Sequence, residues 1–463
     1  MRRPSIILYL LIAAAASVQS QQYRQLTDVP TIYIETENRQ AINSKDAYVN
    51  CTFVMVDGQD TLRYEQTQIR GRGNSSWWNS PKKPYRLKFA SKHRLLGPDG
   101  ANARSWTLLA NHGDKTMLRN ALTCDLGRFM GMKFCPGARF VDLYVNGSYR
   151  GTYQISDQVQ VHKGRIPISE EDGWLLEVAN ENSRETPYIT TSNIQSWYAQ
   201  LTYNIKNPDD ENYNATKRQA IQQWLNRFER AVMSPDFADP DEGYRAMVDE
   251  EDLINWYVGA ELTGNIDALY SIYMYKDADE ERMHFGPLWD IDLGYDNSSE
   301  KSLMQQMEAY LWLWNRPFEQ VVQQLWKDPW FAHACSARLN ELVSQGLQQY
   351  LLDHIDSLRN AIWQSQTRNF RVWPINQQVY SFEKHTYHNT YDEYVADLKT
   401  YVNRHIPYLV NAFAKLDREV GINEVASEPS TTTNSYFDLS GRPVAHPTRK
   451  GIYIRQGKKM VRK

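Results

Sequence analysis

Gly264-Asn-Ile-Asp267, Leu269-Tyr-Ser-Ile-Tyr-Met-Tyr-Lys276 and Met283-His-Phe-Gly-Pro-Leu-Trp-Asp-Ile-Asp292 decide how this 463-residue chain is read. Two β-rich runs flank a polar turn, Asp277-Ala-Asp-Glu-Glu281, so the spacing predicts a hairpin over 269–290. If the runs pair about that turn, Lys276 faces roughly Arg282. Stepping outward then brings Asp267 opposite Asp290 or Ile291, and both carboxylates reach the same open end of the ribbon. Asp290 and Asp292 share one face if the strand continues. Converging carboxylates repel, and a divalent cation, a cationic substrate or a proton relieves them. Oxygen donors favour Mg²⁺, Mn²⁺ or Ca²⁺ over zinc. Strand-end aspartates that cap turns, or a structural calcium site, would show the same spacing.

Working outward, the first half of the chain is β-rich. Thr31-Ile-Tyr-Ile-Glu alternates, and Tyr48–Val56 is a β run ended by Asp57-Gly58. Ile69-Arg-Gly-Arg-Gly-Asn-Ser-Ser-Trp77 is a glycine-bearing turn. Pro84-Tyr-Arg-Leu-Lys-Phe89 then predicts a strand with Tyr85, Leu87 and Phe89 on one face and Arg86 and Lys88 on the other. Gly71 and Gly73 can let backbone amides approach an anion, with Arg86 or Lys88 reaching the same group. A hairpin turn before a solvated basic strand would look alike, and the loop lacks the Gly-Lys-Ser/Thr ending of a Walker A motif. Asp114 is predicted to cap a helix over 115–129. Asn146-Gly147 predicts a type I′ hairpin over 140–155, and 174–178 reads as a strand. Beyond residue 215 the pattern turns helical, over 215–232, 241–262, 302–325, 330–364 in pieces and 391–416. The expected fold class is therefore α+β with two lobes, the first β-rich and the second helix-rich.

The ends read differently. Arg2 and Arg3, the apolar run Ile6–Ala16 and Val18-Gln19-Ser20 predict a signal peptide over 1–20, and hence export to the periplasm, the cell surface or the medium. No later stretch is apolar for long enough to cross a membrane. The main domain is expected over 24–420, a polar linker over 421–434, and a short basic β tail over 435–463. Net charge is −3, so no global electrostatic attraction draws the chain to nucleic acid. Four cysteines are too few for a disulfide scaffold, though one or two bridges are compatible with export. The 14 Trp and 29 Tyr suit a core, or in part a groove for a flat ring.

Taken in order, several segments resemble the spore-coat protein H (CotH) kinase family. They are Gly71-Arg-Gly-Asn-Ser-Ser-Trp77, Lys82–Phe89, Trp106–Asn111, Leu118-Arg-Asn120, Val145–Tyr153, Leu175-Leu-Glu177, Gly264–Asp267, Gly286–Asp292, Lys327–Phe331 and Arg368–Pro374. The resemblance covers about residues 28–418. It implies an atypical protein-kinase-like fold and transfer of the ATP γ-phosphate to protein Ser/Thr with Mg²⁺ or Mn²⁺. A protein kinase likewise separates its acceptor-orienting Asp from its metal-holding Asp by a hairpin. By resemblance Asp267 is the catalytic-loop aspartate, Asp290 the metal ligand and Asp292 a second ligand or orienting group. Gly71, Gly73, Asn74 and Ser75 fall in the phosphate loop, with Arg86 and Lys88 on its basic strand. Asp157 falls near the nucleotide hinge. The chain departs from the kinase pattern at Ile272, where a metal-binding Asn would stand, with Asn265 or Asn297 as substitutes to consider. The tail resembles an accessory or sorting segment. Two rivals share the scaffold: an inactive kinase-fold binding protein, and adenylylation. The sequence names no protein substrate and no oligomeric state.

Overall fold

The computed structural model describes residues 23–179, 183–196, 199–208, 212–265, 267–299, 318–380, 383–384 and 386–427, together with short strands of the tail. The expected signal peptide lies outside the described residues. The fold is α+β, and its internal contacts divide it into two units.

The first unit combines residues up to 110 with 138–156 and 359–375. It is a closed barrel in the order β1-β2-β3-β4-β5-β7-β6. The strands are β1 (Thr31–Thr36), β2 (Val49–Asp57), β3 (Asp60–Gly71), β4 (Tyr85–His93), β5 (Ala103–Leu109), β6 (Ala138–Val145) and β7 (Ser148–Asp157). Closure comes from β6, which runs parallel to β1 with Thr31 opposite Asp142. Alternation fills the interior. Ile32, Ile34, Phe53, Ile69, Leu87, Phe89, Trp106, Val141 and Leu143 all belong to one buried cluster. The β6–β7 turn places Asn146 and Gly147 at φ 52° and 75°, as a type I′ turn requires. The four-residue α1 (Ser75–Trp78) follows the glycine turn.

The second unit holds a five-stranded sheet in the order β12-β11-β8-β10-β9. Its strands are β8 (Trp174–Ala179), β9 (Tyr188–Ser196), β10 (Ala199–Asn207), β11 (Tyr273–Lys276) and β12 (His284–Phe285). β9 and β10 escape the sequence reading because Thr, Ser, Asn and Gln interrupt their apolar pattern. Their buried polar groups converge on Glu229, whose carboxylate accepts from Thr191 Oγ1 (2.5 Å), Asn193 Nδ2 (3.0 Å) and Tyr203 Oη (3.1 Å). Burial pushes that carboxyl above its ordinary range.

The central hairpin differs from expectation. Only Met274↔Phe285 and Tyr275↔His284 pair, one residue away from the predicted register. On its other edge β11 bonds β8, with Tyr273 opposite Glu177, while on the β12 side Gly286 N still bonds Tyr273 O at 3.0 Å and Pro287 beyond it has no N–H to donate. The aspartates therefore lie in loops beyond the ladder rather than on paired strands.

The described helices of this unit include α2 (Arg119–Phe129), α3 (Ala215–Met233), α4 (Glu250–Thr263), α5 (Glu319–Leu325), α6 (Pro329–Ser344) and α7 (Leu347–Ala361). α8 (Trp363–Val372) belongs to the barrel unit. α9 (Tyr391–Ser427) extends through the first part of the expected linker; residues 428–435 lie outside the described ones. The predicted 241–262 helix splits, because Asp249 accepts from Asp252 N and starts α4 there. Residues 302–317 of the predicted 302–325 helix lie outside the described ones. The tail forms a four-stranded sheet in the order β14-β13-β15-β16. Those strands are β13 (Tyr436–Phe437), β14 (Pro443–Val444), β15 (Gly451–Arg455) and β16 (Lys458–Arg462). Among the described residues no helix is long and apolar enough to cross a membrane. All four cysteines are free, so no bridge forms; burial pushes the Cys51 thiol up to about 12.

Candidate active site

α4 ends at Gly264, whose φ of 54° is the left-handed conformation that closes a helix. The chain leaves it through Asn265 and reaches Asp267 in a tight turn, where Tyr270 N bonds Asp267 O at 2.8 Å. After β12 the return strand gives way to a loop in which Asp290, Tyr295 and Asp296 all have positive φ (62°, 50° and 61°). Asp tolerates this region better than most residues, but it needs surrounding support.

That support comes from α2 and the turn before it. Predicted to cap a helix at residue 115, Asp114 instead organises the turn that precedes α2. Its carboxylate accepts from Thr116 N and Thr116 Oγ1 (2.9 and 2.6 Å) and from Arg119 N (3.0 Å), and it forms a buried ion pair with the Arg119 guanidinium. The turn holds Met117 at φ 60°, which delays the helix until Arg119. Arg119 then donates onward to Gly294 O (3.0 Å) and Tyr295 O (3.4 Å). Asn120 Oδ1 accepts from Ile291 N at 3.0 Å. Asn297 Nδ2 donates to Asp292 O (2.6 Å) and Gly113 O (3.1 Å).

The electrostatics bring the predicted acidic residues together. Asp292 is half-buried, and burial is the first cause that raises its carboxyl well above the ordinary carboxylate range. The charges of Asp290, Asp267 and Asp114 raise it further, in that order. So the three aspartates named from sequence share one neighbourhood, and Asp114 is a fourth member that sequence reading took for a cap. Arg119 and Asn120 were also missed, although Leu118-Arg-Asn120 stood among the quoted motifs. Ile272 is buried, and its carbonyl accepts from Val178 N at 2.9 Å. Its side chain is thus part of the sheet's packing and offers no ligand.

Among the described residues, ligand atoms already gathered within 4.8 Å of one another belong to a different group: Asp249, Asp252 and His284. There His284 Nδ1 lies 2.6 Å from Asp252 Oδ2. The Lys133 ammonium sits 3.1 Å from Asp249 and 3.0 Å from Asp252, supplying the positive charge itself. Sequence reading did not find this group, because His284 lies 32 residues from Asp252 and Lys133 lies 116 residues before Asp249.

The glycine turn lies in the barrel unit. Gly71 ends β3, and a Cβ there would stand 2.4 Å from the Trp77 ring. Gly73 has φ 81°, which a side chain would strain. Asn74 and Ser75 are exposed, and Asn74 Oδ1 accepts from Lys45 Nζ at 2.8 Å. On β4, Tyr85, Leu87 and Phe89 point inward, while Arg86 is half-buried and Lys88 exposed. Lys88 and Arg70 lie over the Tyr48 ring, 5.9 and 5.0 Å from its centre. Asp157 is buried, and its carboxylate is taken by Gly137 N (2.9 Å) and Arg165 Nε (2.7 Å), the bonding of a structural group.

No curated protein matches the sequence. A protein-family model described as CotH kinase protein matches residues 69–409, from the end of β3 into α9. That stretch takes in the glycine turn, the basic strand, the α2 scaffold and all the aspartates described above, and its length is most of the chain. The chain belongs to the CotH kinase family, a membership that points to a kinase-like function.

Proposed function

We propose that this protein is an exported phosphotransferase that moves the γ-phosphoryl group of ATP to a Ser or Thr hydroxyl of a protein, with Mg²⁺ or Mn²⁺. The observation that carries the reading is the gathering of Asp292 with Asp290, Asp267 and Asp114, whose charges add to burial in pushing its carboxyl up. A half-buried carboxyl beside three others is a donor set of hard oxygens, one of which, Asp114, is already paired with Arg119. In this reading Asp290 and Asp292 hold the divalent cation, which when bound neutralises charge on the transferring phosphates. Asp267 orients the acceptor hydroxyl and takes up its proton. The barrel unit serves as the β-rich lobe of a kinase-like fold, with Gly71, Gly73, Asn74 and Ser75 as its phosphate loop. Arg86 and Lys88 add positive charge on the adjoining strand.

A second reading is supported by one observation. Ile272 turns its side chain into the core, at the position where a kinase carries a second metal-binding group. An inactive kinase-fold binding protein would tolerate that residue. One assay separates the readings, and adenylylation with them. The mature chain and its Asp290→Ala variant are incubated with Mn²⁺ and a protein acceptor, with ATP labelled at the α- or the γ-phosphate. Transfer of γ-label that disappears in the variant supports the kinase reading; α-label means adenylylation. No transfer, and no rise in melting temperature with Mn²⁺ and ATP, leaves the binding protein.

A further inference from the structure

The peptide group between Asp290 and Ile291 is gripped from both sides by asparagine amides. Its carbonyl accepts from Asn265 Nδ2 at 3.4 Å, and its N–H donates to Asn120 Oδ1 at 3.0 Å. Asn265 also accepts from Asp267 N through Oδ1, at 3.1 Å. One nearly inaccessible side chain, 2% exposed, therefore ties the Asp267 turn to the Asp290 loop. Asn120 is held in turn, because its Nδ2 donates to Asn111 Oδ1 (3.0 Å), and Asn111 Nδ2 donates to Met117 O (3.2 Å). Both ends of each amide are thus committed, and the network fixes which end is oxygen and which is nitrogen.

The gripped peptide follows a residue at φ 62°. Such a backbone costs on the order of 1 kcal/mol or more for a residue with a Cβ, so the loop that carries Asp290 must be held from outside. Rotation of the gripped peptide would turn the carbonyl away from Asn265 and the N–H away from Asn120, losing both bonds at once. With both bonds gone, the loop that carries Asp290 is free to shift relative to the Asp267 turn.

We infer that Asn265 and Asn120 are positioning residues that clamp the Asp290–Ile291 peptide and so set the placement of the Asp290 carboxylate relative to Asp267. The inference rests on the phosphotransferase reading for its catalytic meaning, but not for its structural content. Neither asparagine is a metal ligand in this arrangement; each acts through Asp290 or Asp267.

Amide hydrogen exchange resolved at Ile291 and Asp267, together with Mn²⁺ titration, tests it on the full mature chain. Asn120→Leu should speed exchange at Ile291 by at least about tenfold, and Asn265→Leu should do so at Asp267. Mn²⁺ affinity should fall about 10–100-fold in both, with melting temperatures close to that of the parent. Asn120→Asp keeps the acceptor and should keep the Ile291 amide protected. Unchanged protection at both amides in the two folded Leu variants overturns the clamp. If Asn120→Leu fails to fold, Asn265→Leu and Asn120→Asp decide alone: rapid Asp267 exchange in the first and retained Ile291 protection in the second uphold it, and the reverse overturns it. Parent protein that binds no Mn²⁺, while the Leu variants lose protection, leaves the clamp standing and removes the phosphotransferase reading.

Discussion

Asp114 and Arg119 form a buried ion pair across five residues, and from it the guanidinium reaches the carbonyls of Gly294 and Tyr295. The turn before α2 and the loop after Asp292 thereby share one cation. Removing it strands a carboxylate that is 1% exposed. Arg119→Met should cost about 3–5 kcal/mol in urea unfolding. The double variant Asp114→Leu/Arg119→Met should recover part of that loss, because no buried charge is then left uncompensated.

The two aspartates at the centre of the proposed chemistry should separate kinetically. Asp267→Asn keeps the shape but cannot take up a proton, and should lower kcat about 10²–10⁴-fold with the KM for ATP little changed. Asp290→Asn should instead abolish Mn²⁺ binding measured by titration. Equal effects of both variants on metal affinity would remove the division of roles.

The barrel contains a carboxylate that is satisfied without a cation. Asp142 is fully buried and accepts from Thr27 Oγ1, Tyr149 Oη and Ser365 Oγ, each at 2.7 Å. Ser365 lies on α8, and Asn369 one turn on accepts from Thr152 N at 3.1 Å. Asp142→Ala should destabilise the barrel by about 3 kcal/mol, since three hydroxyls lose their acceptor together. Ser365→Ala should cost about 1–2 kcal/mol and loosen α8, read as faster amide exchange over 363–372.

His405 supplies a pH-dependent term. It is buried on α9 with Nε2 2.7 Å from Glu261 O, and burial lowers its pKa from 6.5 to about 4. The unfolded chain therefore binds the proton first as pH falls. This group leaves stability intact above about pH 6.5, and stability is lost progressively between 6.5 and 4. At about 1.4 kcal/mol per pH unit the loss approaches 3 kcal/mol. His405→Gln keeps a donor for the Glu261 carbonyl without titrating. Its urea midpoint should fall less steeply than that of the parent across this window.

How much of this was legible follows from what each signal depends on. Strand patterns are local, so β1, β2, β4 and the Asn146-Gly147 turn could be read directly. β9 and β10 could not, because their polar residues are made tolerable by Glu229, a helix residue distant in sequence. The hairpin was recognised but not its register, since a polar turn of several residues does not fix which residues face each other. Asp267, Asp290 and Asp292 could be named from spacing and motif, and the fold brings them near one another. Asp114 and Asn120 were not assigned to the site, and Asn265 was considered only as a substitute metal ligand, because their bonds to backbone groups elsewhere in the chain are displayed by no residue pattern. Asp157 illustrates the opposite case: its place in the motif suggested a ligand contact, while Arg165 and Gly137 engage the carboxylate.

The barrel is assembled from three separate stretches, and its last piece arrives late: Gln364 Nε2 bonds Asp28 Oδ1 across 336 residues of chain. A ribosome releasing this protein has exposed every strand of the barrel long before it makes Ser365, the residue that completes the shell around Asp142. Until then the buried acid at its wall has Thr27 and Tyr149 as donors but lacks the third. Closing so long a loop also slows the final step. Gene fragments that stop before residue 375 should therefore yield an aggregation-prone barrel, and no contiguous cut can isolate it whole. Anyone dissecting the protein must splice 359–375 onto the amino-terminal segments or work with the intact chain.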